Sequence, residues 1–372
     1  MHTKVRALAA RVAPGRPGRR SPWAGRLAAC LAGASLLATL AAAPAAAPAA
    51  ASRRARCTGR TVPLTFVSPF GFDASAGILD VFAAEHLGYF AAQCLDVSIV
   101  TSSFTPVELV SAGRGTITGV GSAADALVAM AHGAAVTAIA TFGDTSDYAL
   151  LTRPGITNLR QLEGKTLAYH STLPVIIEEM LRRAGVDLRR VDLVDDTSYD
   201  PSLLEAGRFQ ALQAYQSNEP LTLRARHEPF REWIPARFGV RGTFNVDVVN
   251  SAFLRRRRAA VGAFLRADLH AFDYCSRHAV ACVGFEEQAA AAAGATFDRA
   301  HALAEWRFES RLAWRHTLPG AGVGVESYAE WRPEAEALRS FGLVAHVPLL
   351  RSVEDVRLAA SLYRGTSLVW PG

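Results

Sequence analysis

From residue 62 onward, short runs of β-branched and aromatic residues alternate with stretches whose apolar positions recur at helical spacing. That alternation predicts α/β units built around parallel sheets. Residues 62–68 read as a first strand, leading into a loop at 69–73 and a helix from about Ser75 to Leu87 that stops at Gly88. Strands follow at 95–100, 116–120 and 136–141, with helices at 106–112 and 122–131. Ser122 is suited to cap the second of these, because its hydroxyl accepts an otherwise orphan backbone N–H. A second set of units begins near Ala149, with strands at 166–169, 191–194 and 211–215 and helices at 174–184 and 202–206. Residues 245–250 read as a strand leading back, and the remainder is mostly helical. The implied layout is two α/β lobes, 60–147 plus 249–372 and 148–248, joined by extended crossings near 145–152 and 243–251. Hinged lobes of this kind close around a ligand in the cleft.

The first 51 residues have a different character. Lys4, Arg6, Arg11, Arg16, Arg19, Arg20 and Arg26 precede an uncharged stretch, 27–51, that is apolar up to Ala43 and then rich in Ala and Pro. A basic start, an apolar centre and small residues at the end are the parts of a removable export signal. A retained anchor is the competing reading, but the stretch is rich in Ala and Gly and would insert weakly. Arg19-Arg20 matches a twin-arginine signal poorly. Leu27-Ala28-Ala29-Cys30 has its apolar segment on the wrong side for a lipid anchor.

Removing that segment changes the charge. The chain has 40 basic and 34 acidic residues, and seven basic residues but no acidic one fall within 1–52. The remaining chain of about 320 residues is nearly neutral, large enough for two lobes, and lacks the basic body that nucleic-acid binding requires. The run 255–258, four arginines, reads as a solvated helix start. Four cysteines survive, Cys57, Cys94, Cys275 and Cys282, an even number in an exported chain. Three pairings are possible. The sequence-local one, Cys57–Cys94 with Cys275–Cys282, is the expected choice, and free buried thiols are the alternative. No C-x-x-C or H-E-x-x-H occurs, so no zinc site and no cofactor is expected.

Four segments resemble one family in the right order. Ala84-Glu85-His86-Leu87-Gly88-Tyr89-Phe90 with Leu95-Asp96-Val97 is the first, and the stretch 158–166 (NLRQLEGKT) is the second. Tyr215-Gln216-Ser217-Asn218-Glu219-Pro220 is the third, and Phe253-Leu254 with Phe264-Leu265-Arg266-Ala267 is the fourth. Together, over roughly residues 60–290, they resemble the NMT1/THI5-like (SsuA-like) solute-binding proteins of ABC importers. The resemblance implies a type II periplasmic-binding fold, two doubly wound lobes joined by two hinge crossings. It also implies a monomer that delivers a small nutrient to a membrane permease: a planar heterocycle such as a pyrimidine or flavin precursor, or a sulfonate- or nitrate-type anion. Two departures stand out. Cys94 replaces the family's Gly, which fits a bridge to Cys57, and Phe72-Asp73-Ala74-Ser75 replaces the Asn-His of pyrimidine binders.

Ligands in open α/β sheets sit beyond the carboxyl ends of strands, which selects the candidate site residues. Phe70, Phe72 and Asp73 follow the first strand and offer two rings and a carboxylate; a surface turn is the plain alternative. Ser122 and Ala123 open a helix whose N–H groups favour an anion or a carbonyl, with Asp125 one turn on. Thr141 and Phe142 follow the fourth strand and are expected as a wall. His170, Ser171 and Thr172 end a strand before a helix with Pro174 in its first turn, a polar clamp in which the histidine is more often structural. Glu219 is the sharpest candidate, able to accept two hydrogen bonds from an amino-heterocycle, with Tyr215 and Asn218 in the same loop. Phe244, on the returning crossing, is placed to stack on a planar ligand. The tail after about residue 290, with Trp306, Trp314 and Trp331, offers core roles only.

An enzyme is the other class. No serine is flanked for a G-x-S-x-G elbow, and the lone glycine pairs 320–324 and 113–115 do not open helices at dinucleotide-binding spacing. The cysteine/histidine-rich motif of the eukaryotic pyrimidine synthase in the same superfamily is missing. A ligand-sensing module is the third reading.

Overall fold

The structure, a computed structural model, describes residues 57, 59–101, 106–196, 198 and 200–370. The export segment expected at 1–51 lies outside the described residues. Ten strands make two five-stranded sheets. They are β1 (Val62–Ser68), β2 (Leu95–Thr101), β3 (Ile117–Val120), β4 (Val136–Gly143), β5 (Tyr148–Thr152), β6 (Thr166–Tyr169), β7 (Asp192–Asp195), β8 (Ala211–Tyr215), β9 (Arg231–Trp233) and β10 (Phe244–Asn250). The first sheet runs β2-β1-β3-β10-β4 and the second β7-β6-β8-β5-β9.

Both sheets are mixed where parallel sheets were expected. β1 pairs in parallel with β2 and β3, and β6 with β7 and β8, as crossover connections require. β10 instead runs antiparallel between β3 and β4, and β5 antiparallel between β8 and β9. The two extended crossings are therefore strands in their own right. Each leaves one sheet and is captured by the other, which satisfies its backbone groups inside the molecule.

Alternation of side chains assigns the faces. Leu150, Leu167 and Ala211 join one apolar cluster while their neighbours Leu151, Ala168 and Leu212 join another, so the second sheet is covered on both sides. Leu64 and Phe66 of β1 face a core completed by the helices Leu79–Leu87, Ser251–Arg277 and Arg299–Arg315, and Val67 faces the opposite side. The helix Leu79–Leu87 ends where expected, with Gly88 in the left-handed region at φ 76°. The four arginines at 255–258 are exposed near the start of the long helix Ser251–Arg277, which has a non-helical residue at Arg257.

Two disulfides, Cys57–Cys94 and Cys275–Cys282, realise the expected pairing. Cys94 stands at φ 58°, a conformation that glycine adopts freely and other residues rarely. The Cys57 crosslink holds this residue in a conformation that would suit glycine better. Among the described residues, no helix is long and apolar enough to cross a membrane.

The tail after residue 290 does more than fill the core. Arg299–Arg315 packs beside the first-sheet strand β4 and also touches Glu219–Ala225, which follows β8 of the second sheet. Tyr328–Phe341 likewise contacts both Ala123–Ala131 and Val175–Arg183, the helices that follow β3 and β6.

Candidate functional site

Loops at the carboxyl ends of β1 and β8 meet the start of β10 and one face of the helix Arg299–Arg315 around a cavity of about 60 Å³. Phe70, Asp73, Ser75, Tyr215, Ser217, Asn218, Glu219, Asn245, Glu305 and Glu309 line it. Five of the expected residues, Phe70, Asp73, Tyr215, Asn218 and Glu219, come together here. Phe70 is about half exposed at 49% and meets Tyr215 edge-on, with ring centroids 6.0 Å apart. Tyr215 stacks on Tyr148 at 4.9 Å, and the Tyr148 hydroxyl donates to Asp125 at 2.8 Å.

Each carboxylate of the cavity has a distinct local setting. Glu219 opens the helix Glu219–Ala225 and accepts from the Tyr215 backbone N–H at 2.8 Å, while its other oxygen lies 4.0 Å from Nε2 of His170. Asp73 accepts from the Ser75 backbone N–H at 3.2 Å. Glu309 accepts from the Ala76 N–H at 2.7 Å and from the Asn245 amide at 3.2 Å. Asn245 reaches it from a left-handed backbone at φ 39°. Glu305 is 4% exposed, and no donor among the described residues is hydrogen-bonded to its carboxylate. Behind the wall, Ser217 donates to the buried Asp147 at 2.6 Å.

Burial dominates the protonation of this cluster. It pushes Glu219 up to about 7, with the nearby Asp73 charge adding to the rise, and Asp147 up to about 8. It raises Asp73 as well, against the hydrogen bonds from Ser75 and the opposing pull of His301. Glu305 and Glu309 are raised well above the usual range, first by desolvation and then by each other's neighbours, Asp73 and Asp147 included. No lysine or arginine is among the described residues lining the cavity. The arrangement concentrates carboxyl groups in a buried, partly aromatic recess.

The other expected residues fall elsewhere. Ser122 caps its helix as foreseen, accepting from the Asp125 N–H, but the amides behind it are not open to an anion. The Ala123 N–H donates to Thr243 at 2.7 Å and the Ala124 N–H to Glu334 at 2.8 Å, so the protein's own carboxylate occupies the place reserved for an anion. Thr141 is buried in a network with Trp331 and Glu326. Phe142 and Phe244 are 0% and 1% exposed and belong to the core, because strand parity turns both rings inward. Phe72 packs on Phe82 at 5.4 Å. His170 is fixed by Asp196 O at 2.9 Å and supports the site through Glu219. Ser171 takes φ 60° in a tight turn, its N–H donating to Asp195, and Thr172 lines a larger neighbouring groove of about 710 Å³ with Asp125 and Pro174.

Ser75, Ser217, Asn245, Glu305 and Glu309 line the cavity without having been singled out in the sequence. A readable signal did exist for the last two. His301, Glu305 and Glu309 recur every four residues, while Arg307, Arg311 and Arg315 form a second stripe, so charge is segregated between two faces of one helix. His301 completes its stripe at the cavity rim, 3.0 Å from Asn218 Oδ1.

The NMT1/THI5 like family model matches residues 76–281, a little over half of the sequence, and the chain belongs to that family. No curated protein matches it in sequence. Solved structures share the periplasmic-binding-protein fold. The zinc-bound ligand-binding component of an ABC-type import system from Staphylococcus aureus superposes with TM-score 0.59 at 10% identity, covering 80% of this chain and 97% of that one. The aliphatic sulphonate binding protein SsuA from Escherichia coli gives 0.57 at 13%, covering 83% and 94%. The desulfurization enzyme DSZB gives 0.54 at 13%, covering 80% and 98%.

Proposed function

We propose that this chain is the extracytoplasmic solute-binding component of an ABC importer, capturing one small molecule in the cavity bounded by Phe70, Tyr215, Asn218, Glu219, Asn245, Glu305 and Glu309. The single observation that carries the reading is the convergence of those side chains from both sheets, on a family fold whose solved relatives include ligand-binding components of importers. Loops beyond strand ends are where such folds hold ligands. Phe70 and Tyr215 offer an aromatic surface against which a ligand ring can pack with a donor group turned to Glu219. The carboxylate lining disfavours the sulfonate or nitrate half of the ligand set. The chain is exported and partners a membrane permease, with the segment 1–51 as its signal and 60–147 plus 249–372 and 148–248 as its two lobes. Two disulfides suit a protein that works outside the reducing cytoplasm.

The test is a thermal-shift screen of the mature chain against pyrimidines, flavins, sulfonates, taurine and nitrate, with organic amines alongside. A ligand that binds the native state raises Tm by mass action. One compound should do so, and Glu219→Ala should abolish most of the shift. An enzyme of this fold is the second reading, favoured by the likeness to DSZB. Against it, the four described cysteines are all consumed by disulfides, leaving no thiol nucleophile among them. Mass analysis of a stabilising compound after prolonged incubation separates the two: a binder returns it unchanged.

A further inference from the structure

The cavity gathers more carboxyl groups than capture of a neutral ring requires. Asp73 comes from the loop after β1, Glu219 from the loop after β8, and Glu305 and Glu309 from the helix Arg299–Arg315. Asp147 and Glu286 stand in a second layer; Glu286 is fully buried, and Asp147 Oδ1 is buried with no hydrogen-bond partner among the described residues. Among the described residues two histidines stand beside the group: His170 Nε2 lies 4.0 Å from Glu219, and His301 Nε2 lies 3.0 Å from Asn218 Oδ1. A buried carboxylate without a donor is costly. Glu305 is nonetheless held at the cavity wall, nine-tenths and more buried, with its partner position left to whatever enters.

Resting on the solute-binding reading above, we infer that this recess is built for a cationic head group. An ammonium, amidinium or small alkylammonium on an organic molecule would be held by Glu305, Glu309, Glu219 and Asp73, with Phe70 and Tyr215 against its apolar part. Three features select this class. The volume of about 60 Å³ admits a head group while the rest of the molecule passes out beside the half-exposed Phe70. Two aromatic rings at the mouth add a cation–π face. The helix start that would suit an anion, at Ala124, is closed by Glu334. A bare metal ion is a poorer occupant, because no group of three or more His, Cys, Asp or Glu among the described residues has metal-holding geometry.

The proton balance follows from the same lining. Empty, the carboxyl groups share protons, since burial raises Asp73, Asp147, Glu219, Glu286, Glu305 and Glu309 together. A cation favours their ionised forms and expels protons, so binding tightens as pH rises. An anion or a neutral acceptor favours the protonated forms, so its binding weakens as pH rises.

The experiment is titration calorimetry of the mature protein with benzylamine, putrescine, agmatine and choline, beside methanesulfonate, nitrate and uracil, at pH 6 and pH 8 in two buffers of different ionisation enthalpy. The expected result is that at least one amine binds, about tenfold tighter at pH 8, with release of protons. Glu305→Gln should weaken it roughly ten- to a hundredfold, the loss of one charge-assisted contact. Phe70→Ala, at an exposed position that leaves the fold intact, should weaken an aromatic amine about three- to tenfold. Binding of sulfonate, nitrate or uracil with no amine bound overturns the cation inference and keeps the solute-binding reading. A chain that binds neither set overturns both.

Discussion

Glu334→Ala probes how the chain closes its own anion-binding helix start. Glu334 is 1% exposed and accepts three hydrogen bonds: from the Ala124 N–H at 2.8 Å, the Thr243 N–H at 2.7 Å and the Thr243 hydroxyl at 2.6 Å. Truncation strands two buried backbone donors, each costing roughly 1–3 kcal/mol, while the hydroxyl turns to another acceptor. Against this, the substitution removes a carboxyl whose burial pushes it up to about 7, so part of the cost is returned at neutral pH. The net loss expected at pH 6 is about 2–4 kcal/mol, or a Tm fall of roughly 3–6 °C for a chain of this size. Urea unfolding followed by tryptophan fluorescence and far-UV circular dichroism reads it as a lower midpoint at unchanged slope. Glu336→Ala, exposed on the same helix, serves as the control and should stay within about 0.5 kcal/mol. Acetate should stabilise Glu334→Ala and not the parent, since it can re-enter the vacated helix start. A loss under about 1 kcal/mol, or equal effects of acetate on both proteins, would refute the reasoning.

Further outcomes follow from the same structure. Glu219 and Glu334 at about 7, and Asp147, Glu330 and Glu354 at about 8, all lie above their unfolded values because burial penalises the charge. Raised carboxyls contribute stability that is full below about pH 4 and lost as pH rises through 7 to 8, so Tm should fall between pH 5 and pH 8; a flat or rising Tm contradicts the burial of these groups. In a Cys57→Ala background, Cys94→Gly should be more stable than Cys94→Ala by about 1 kcal/mol in urea, because only glycine is free at φ 58°. Trp306→Ala should cost about 3–5 kcal/mol, since it empties a fully buried site and removes the indole N–H bond to the Cys275 carbonyl at 3.0 Å.

Local order was legible in the sequence where one periodicity dominated. Residues 211–215 and 166–169 were placed residue for residue, and Gly88 marked a helix end because φ > 0 is cheap only for glycine. Tyr148–Thr152 carries no strand signature of its own: all five residues are buried, so no alternation betrays a strand paired on both edges. Arg231–Trp233 is too short to leave a pattern. In the site, Phe70, Asp73, Tyr215, Asn218 and Glu219 were reachable from the rule about strand ends. Phe142 and Phe244 were not separable from them, because a one-residue change of parity decides whether a ring faces the cleft or the core. Glu334 could not be connected to Ala124, 210 residues away, by any local signal. The acidic stripe Glu305–Glu309 was visible as a helix face, but not which cavity that face would meet.

The most direct test of the central claim is native mass spectrometry of the mature chain with the amine that binds best in calorimetry. The expected spectrum shows a single one-to-one adduct, retained in Thr172→Ala and lost in Tyr215→Ala and Glu219→Gln. An adduct unaffected by the two cavity substitutions, or none with any amine or anion, would contradict capture of a small molecule between Phe70, Tyr215 and the carboxylates.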